Sequence, residues 1–470
     1  MIAPREPQRW LDWFDRFQNK EAIRSSAYHA GELIHDLHEL TPESAALRLE
    51  QVWSKVFVPS PQHVDILSNL LDQARTFAIA SFPTIKDYNR LRYDLQSATH
   101  VKQPIRCLTG LAGVSKSSLV QAFDRICRLQ SDGEFITDAQ RIRIYPVRRV
   151  VIDGHQAVRG VLKSLANPLA INGSSGQQID VLMAHVSDWL MATATSSLIV
   201  DEMQFFTQSN TANTRTSQLI LSLANLGPPL LFVANYSLVR KLMQRPHEEK
   251  DRLLSSPIIL NPPGRGDACW GDVIKEYFAV SPGTFQFDPV EYADLLHQYT
   301  AGLFRALKSL LILAYGIART NGVHVVTVDD VKAAYRSREY CSYRRDVEDV
   351  ISLGVSNLLE ERRPDLLCPF SEIPFETHFK STNMPSIEST LREMPAALLE
   401  SALSPAARAT VRELRKAANQ TEGQRIDATI TPLPKRQSVS AQTLHAGAQL
   451  LRGGAFKSNS KLTRGKGNHE

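Results

Sequence analysis

Apolar residues follow two different rhythms along this 470-residue chain. In "ESAALRLEQVWSKVF", Ala46, Leu47, Leu49, Val52 and Val56 recur at helical spacing, and in "PQHVDILSNLLDQARTFA" so do Val64, Ile66, Leu67, Leu70 and Leu71. Residues 1–80 therefore predict a helical region, either a docking segment or a plain helical cap. From about Ile105 to Pro263 the rhythm changes. "PIRCLTG", "RRVVIDG" (expected directly after a helix), "SSLIVDE", "PPLLFVANY" and "SPIILNPP" are short, nearly continuous apolar runs separated by helical segments. Strands buried on both faces read this way, which predicts an α/β fold with a parallel sheet between layers of helices. Residues 285–340 turn helical again: "TAGLFRALKSLLILAYGIAR" predicts one strong helix, and Thr327 followed by Asp330 is a variant capping box. The expected organisation is a helical docking region (1–80), an α/β core (81–284), a helical lid (285–345) and an extension (346–470). That extension carries eight prolines between Pro364 and Pro434, roughly twice the usual ~5%. It alternates with short helical pieces such as "RATVRELRKAANQ".

Composition narrows the class. A chain this long exceeds what one core usually organises, so at least two domains are expected. The five cysteines are far apart, with no C-x-x-C pair and no histidine at metal-ligand spacing. Neither a disulfide framework nor a zinc site is expected, and a reducing cytoplasm is the natural setting. No apolar run reaches about 18 residues, so no membrane partner is expected. The formal charge is +5, yet the stretch from Lys435 onward holds seven Lys/Arg against one acidic residue. The basic excess sits in a tail, read either as a solvated end or as a phosphate-seeking arm.

The candidate chemistry begins at "CLTGLAGVSKSSLVQAF". Against the phosphate-loop pattern G-x-x-x-x-G-K-[ST] it has Gly110, then Gly113 and Val114 within the loop, Ser115 in place of the second glycine, and Lys116, Ser117 and Ser118 after it. Strand, loop and helix follow in the required order, so backbone N–H groups and the helix N-terminus can surround a phosphate. If position 115 needs a positive φ, serine there costs on the order of 1–2 kcal/mol. Micromolar binding corresponds to about 8 kcal/mol, so affinity would be weakened and not abolished. Some 85 positions after the lysine, "SLIVDEMQ" ends an apolar strand in Asp201 and Glu202, suited to holding a metal and activating a water. Asn235 tips the next strand. Gly302 and Arg305, in "AGLFRAL", open a helix that could reach the phosphates from the lid.

Together these segments resemble an AAA+ ATPase. The glutamine of "IVDEMQ" and the spacing of "AINGSSGQQIDVLMAHVSDWL" before it are similar to the TnsC and TniB transposition regulators. The resemblance covers roughly residues 60–340. It implies ATP and Mg²⁺ as cofactors, Lys116, Ser117 and Ser118 on phosphates and metal, and Asp201 and Glu202 as the Walker B pair. It implies Asn235 as sensor 1 and Arg305 as sensor 2. It further implies a homo-oligomeric ring or filament on double-stranded DNA that recruits a transposase together with a target-selection protein. Two positions depart from the family pattern. Ser115 replaces glycine, and Ser256 and Pro257 stand where an arginine commonly reaches the neighbouring subunit, with Arg252 one helical turn earlier as its substitute. Both an ATPase and a chain whose hydrolysis is slow or absent are therefore open readings.

For DNA, Arg159 and Lys163 of "AVRGVLKSLA" are four apart and share a helix face, with "RIRIYPVRR" adding charge just before. An ordinary solvated face reads the same way. The same motifs also suit an AAA+ protein of replication initiation or repair, or a recruitment scaffold that binds nucleotide weakly.

Overall fold

The structure is a computed structural model that describes residues 14–84, 87–88, 103–128, 134–136, 141–152, 158–166, 178–204, 212–353 and 363–370. The chain divides into two compact units, Met1–Ala402 and Leu403–Glu470, and every described residue belongs to the first. The helical piece "RATVRELRKAANQ", the stretch Ala170–Gln177 and the basic tail lie outside the described residues.

Five strands form a parallel sheet: β1 (Arg106–Gly110), β4 (Val147–Val151), β5 (Ser197–Asp201), β6 (Leu230–Asn235) and β7 (Ser256–Leu260). Their order is β4-β5-β6-β1-β7. Side chains alternate across it as the pleat requires. Leu108, Ile199, Leu231 and Val233 enter the core on one face, and Cys107, Leu198, Val200, Leu230, Phe232 and Ala234 enter the core on the other. Burial on both faces is why the strands read as unbroken apolar runs.

The chain between β1 and β4 differs from the expectation of a single preceding helix. After α4 (Lys116–Cys127) comes an antiparallel pair, β2 (Glu134–Ile136) and β3 (Arg141–Arg143), and β4 follows that pair. Six of the nine residues of "RIRIYPVRR" are thus strand.

The second face of the sheet is covered by α5 (Val158–Leu165), α6 (Ile179–Ala192), α7 (Ala212–Ala224), α8 (Tyr236–Met243) and α9 (His247–Leu254). The first face is covered by α4 and joins a larger core that takes in the N-terminal helices α1 (Lys20–Ala27), α2 (Pro42–Lys55) and α3 (Pro61–Ser81). It also takes in α10 (Ala268–Ala279), α11 (Ala293–Thr300), α12 (Phe304–Thr320), α13 (Val328–Arg336) and α14 (Cys341–Leu353).

The N-terminal helices are tied to this second helical group by specific contacts. Trp53 stacks on Tyr277 at 5.3 Å and donates its indole N–H to the Tyr277 carbonyl at 2.9 Å. Arg319 donates to the carbonyls of Leu37 and Leu40. The capping box at Thr327 and Asp330 forms, with each side chain accepting from the other's backbone N–H.

The helix expected in "TAGLFRALKSLLILAYGIAR" forms from Phe304 onward, and the residues before it make a corner with the end of α11. Ala301 and Gly302 both take positive φ, 50° and 71°, and α11 and α12 meet at a 109° bend. A Cβ on Gly302 would lie 2.6 Å from the Pro263 carbonyl oxygen, so the corner needs glycine for space as well as for its dihedral. The bend aims the first turn of α12 at the phosphate loop. Among the described residues no single helix is long and apolar enough to cross a membrane.

Candidate nucleotide site

The loop after β1 has the backbone form that a phosphate cradle requires. Gly110 ends the strand against β7, where a Cβ would sit 2.4 Å from the Leu260 carbonyl oxygen. Val114 is buried in the core and anchors the loop from below; its side chain does not face the cavity. Gly113 has φ +87°, and a Cβ there would meet the Cβ of Arg305 at 3.0 Å. The Arg305 backbone N–H donates to the Gly113 carbonyl at 3.3 Å, so loop and lid helix touch through their main chains.

Ser115 caps α4 in the left-handed conformation, φ 73° and ψ 22°. The position therefore does demand the dihedral that glycine adopts freely, and serine bears a strain on the order of 1–2 kcal/mol. Its hydroxyl lies 3.1 Å from His63 Nε2, a partner supplied by α3.

Lys116 is 8% exposed and donates to the carbonyls of Gly110 at 2.9 Å and Leu111 at 2.7 Å. Burial lowers its pKa from 10.5 to about 8; Glu202 opposes that shift, Arg305 adds to it and Asp201 opposes it. At neutral pH the ammonium remains, poorly solvated and beside carbonyls that a phosphate oxygen would outcompete as a partner.

The acidic pair stands at the tip of β5, one strand removed from β1. β6 lies between them, and its Asn235 sits level with Gly110 in the parallel register. Ser117 Oγ donates toward Asp201 Oδ1 at 3.3 Å and Glu202 Oε1 at 3.2 Å, so the hydroxyl from the loop and both carboxylates meet in one place. Glu202 has φ 60°, a second non-glycine residue held in an uncommon backbone conformation at this site. The Gln204 side-chain amide donates to the Glu202 carboxylate and fixes its orientation. Asp201 is fully buried, and its Oδ2 accepts from Arg149 Nη2 at 2.8 Å.

One cavity of about 270 Å³ gathers these groups. Gly113, Ser115, Lys116, Ser117, Ser118, Glu202, Asn235 and Arg305 all line it. Val56, Phe57 and Val58 from the N-terminal region and Val273, Tyr277 and Phe304 also line it, apolar and aromatic groups of the kind that pack on a heterocycle. Four further residues belong to the site: His63, Arg149, Gln204 and Lys308. Lys308 lies one turn after Arg305, and its pKa is lowered by burial first and by Arg305 second. Gln204 and Lys308 had a local signal, the first in the "IVDEMQ" motif and the second in the i, i+3 spacing of two cations on one helix.

The donor set fits Mg²⁺. A hydroxyl with one or two carboxylates, and no closed protein cage, is what a cation that keeps several waters and leans on phosphate oxygens requires. Among the described residues no cluster of three or more His, Cys, Asp or Glu suggests another metal. Ser117 and Asp201 would hold the ion, which when bound would offset phosphate charge.

Six expected residues do not line this cavity: Gly110, Val114 and Asp201 lie buried behind it, with Asp201 reaching it only through Ser117 and Glu202, and Arg252, Arg159 and Lys163 stand away from it. Arg252 is exposed on α9 and does not line it, which is where a residue offered to a neighbouring copy would stand. Arg159 is exposed and Lys163 half-buried on α5, across the sheet on the second face. The charge of "RIRIYPVRR" is partly committed inward, against expectation. Arg149 is taken by Asp201, and Arg148 lies 4.3 Å from the Tyr145 ring centre.

No protein-family model matches this chain, and no curated protein does. Solved structures are similar at low identity. The Aeropyrum pernix ORC1 protein in complex with DNA shares 15% identity, with 58% of this chain and 68% of that one covered, at a TM-score of 0.35. The ADP form of Aeropyrum pernix ORC2 shares 13% over 64% and 80%, at 0.39. Domain III of the Thermotoga maritima replication initiation protein DnaA shares 13% over 60% and 94%, at 0.35. Likeness at these scores is too slight to carry function, which rests on the site itself.

Proposed function

We propose that this chain is an ATP-binding switch of the AAA+ type that acts on double-stranded DNA as a regulator of transposition. The observation that carries the reading is the convergence of Lys116, Ser117, Glu202, Asn235 and Arg305 on one cavity between the C-terminal edge of a parallel sheet and the first turn of a lid helix. Lys116 and Ser118 bind phosphate oxygens, Arg305 and Lys308 meet the far phosphates from the lid, and Asn235 and Glu202 orient and deprotonate a water. Gln204 keeps Glu202 in the rotamer that this task needs. Because Arg305 also touches Gly113 through the backbone, a triphosphate seated between Lys116 and Arg305 fixes the lid against the loop, and its loss frees the lid.

The narrower assignment, a regulator that assembles as a ring or filament on target DNA and recruits a transposase with a target-selection protein, rests on the Gln204 motif and on the family resemblance of residues 60–340. Arg252, exposed ahead of β7, would serve the site of the next copy. Arg159 and Lys163 would meet DNA phosphates. The experiment is imaging of the purified full chain with duplex DNA, with and without ATP. Nucleotide-dependent rings or filaments support the proposal; a monomer on or off DNA in both conditions rejects it.

A further inference from the structure

The serine that interrupts the phosphate-loop pattern is held from outside the loop. Ser115 sits at φ 73°, where glycine would need no support, and His63 from the first turn of α3 reaches it at 3.1 Å. Which atom donates follows from the other side of the ring. His63 is the fourth residue of a capping box whose first is Ser60; the Ser60 backbone N–H donates to His63 Nδ1 at 3.1 Å, and the His63 N–H donates back to Ser60 Oγ at 3.2 Å. A neutral imidazole with an accepting Nδ1 carries its proton on Nε2, so His63 donates to Ser115 Oγ. The ring is 4% exposed and packs on Phe57 at 5.2 Å between centres, in surroundings that disfavour a second proton. Accepting this bond leaves the Ser115 hydroxyl proton to donate to an acceptor in the cavity that both residues line.

The turn carrying His63 is itself pinned. Gln62 donates to the Ile259 carbonyl at 2.9 Å and accepts from the Asn261 N–H at 3.3 Å, so the start of α3 is fastened to the end of β7. A side chain fixed at both flanks is a rigid support, which a strained backbone needs if it is to stay in one conformation.

We propose that His63 is a positioning residue for the triphosphate: its Nε2–H holds Ser115 in the left-handed conformation, making the phosphate loop's readiness depend on how the N-terminal helix α3 is seated. The inference rests on the nucleotide reading of the cavity and adds a control to it. The glycine of the usual pattern and the His63–Ser115 pair are then two solutions to one backbone requirement.

The test is a double-mutant cycle on the full chain, reading the dissociation constant of a fluorescent N-methylanthraniloyl ATP with Mg²⁺, with thermal melting recorded alongside. His63→Leu weakens binding about tenfold, the scale of one lost hydrogen bond. Ser115→Gly tightens it, and adding His63→Leu to Ser115→Gly changes affinity by less than about twofold, since glycine takes the conformation unaided. Ser115→Ala, a small change in a half-exposed loop, removes both the acceptor for His63 and the donor toward the cavity and weakens binding at least as much as His63→Leu, which covers the case in which the histidine variant fails to fold. An equal loss from His63→Leu in the serine and glycine backgrounds, or wild-type affinity in Ser115→Ala, overturns the proposal. Absence of analogue binding by the wild-type chain overturns the nucleotide reading itself, a different result from an additive cycle.

Discussion

Arg149 Nη2 lies 2.8 Å from Asp201 Oδ2, and the carboxylate is fully buried while the arginine side chain is only 17% exposed. The other oxygen, Oδ1, accepts from the Glu202 N–H at 2.9 Å and faces Ser117. Asp201 thus divides its two oxygens between a structural cation and the expected metal side. Removing one partner of a buried pair strands the other, at a cost of about 3–5 kcal/mol. Arg149→Gln is expected to lower the denaturant midpoint strongly, while Arg149→Lys recovers part of it. Because the variant leaves Asp201 uncompensated, Mg²⁺ with ATP should raise its melting temperature by more than it raises that of the wild type.

Glu202 and Gln204 separate binding from turnover. Glu202→Gln keeps the shape of the site and removes the base, so nucleotide affinity is expected to stay within a few-fold while hydrolysis falls by about 10² or more. Gln204→Ala frees the Glu202 carboxylate to leave its rotamer and should lower kcat with little change in KM. DNA-stimulated turnover in the wild type, lost in Glu202→Gln, would exclude a scaffold that only binds.

His63 gives the fold an acid sensitivity. Burial lowers its pKa from 6.5 to about 4, so between those values the unfolded chain binds the proton and the folded one does not. Stability from this residue is complete above pH 6.5 and declines as the pH falls toward 4, by on the order of 3 kcal/mol in all. Urea midpoints measured from pH 7 to 4.5 should fall more steeply in the wild type than in His63→Leu, the difference isolating this group from the carboxylates.

Arg159 and Lys163 test the DNA face. If both neutralise phosphates, the double change Arg159→Glu/Lys163→Glu reduces the slope of log K against log salt by about two and leaves nucleotide affinity intact. An unchanged slope assigns them to an ordinary solvated helix face.

Much of this was legible before any coordinates. The five strands announced themselves because each is buried on both sides, and the positive φ at Ser115 follows from the position it occupies in the phosphate-loop pattern. The break at Ala301 was hidden, since alanine favours helix and gives no warning of a left-handed turn; only Gly302 beside it hinted at a corner. The supports of the site were hidden for another reason. His63 and Ser115 are 52 residues apart, as are Arg149 and Asp201, and nothing local in "SPQH" or "VRRVV" names the partner. Periodicity showed that α2 and α3 bury a face. It could not show that the same region walls the nucleotide cavity, because that depends on where the lid folds back.

A triphosphate held by Lys116 and the groups around it is what every role assigned above requires. Isothermal titration of ATP and Mg²⁺ into the full chain and into Lys116→Ala tests it most directly. The expected result is a saturable heat for the wild type, with affinity reduced about a hundredfold in the variant, the scale of one lost charge-assisted contact. No heat from the wild type at millimolar ATP, or the same isotherm from both proteins, would contradict it.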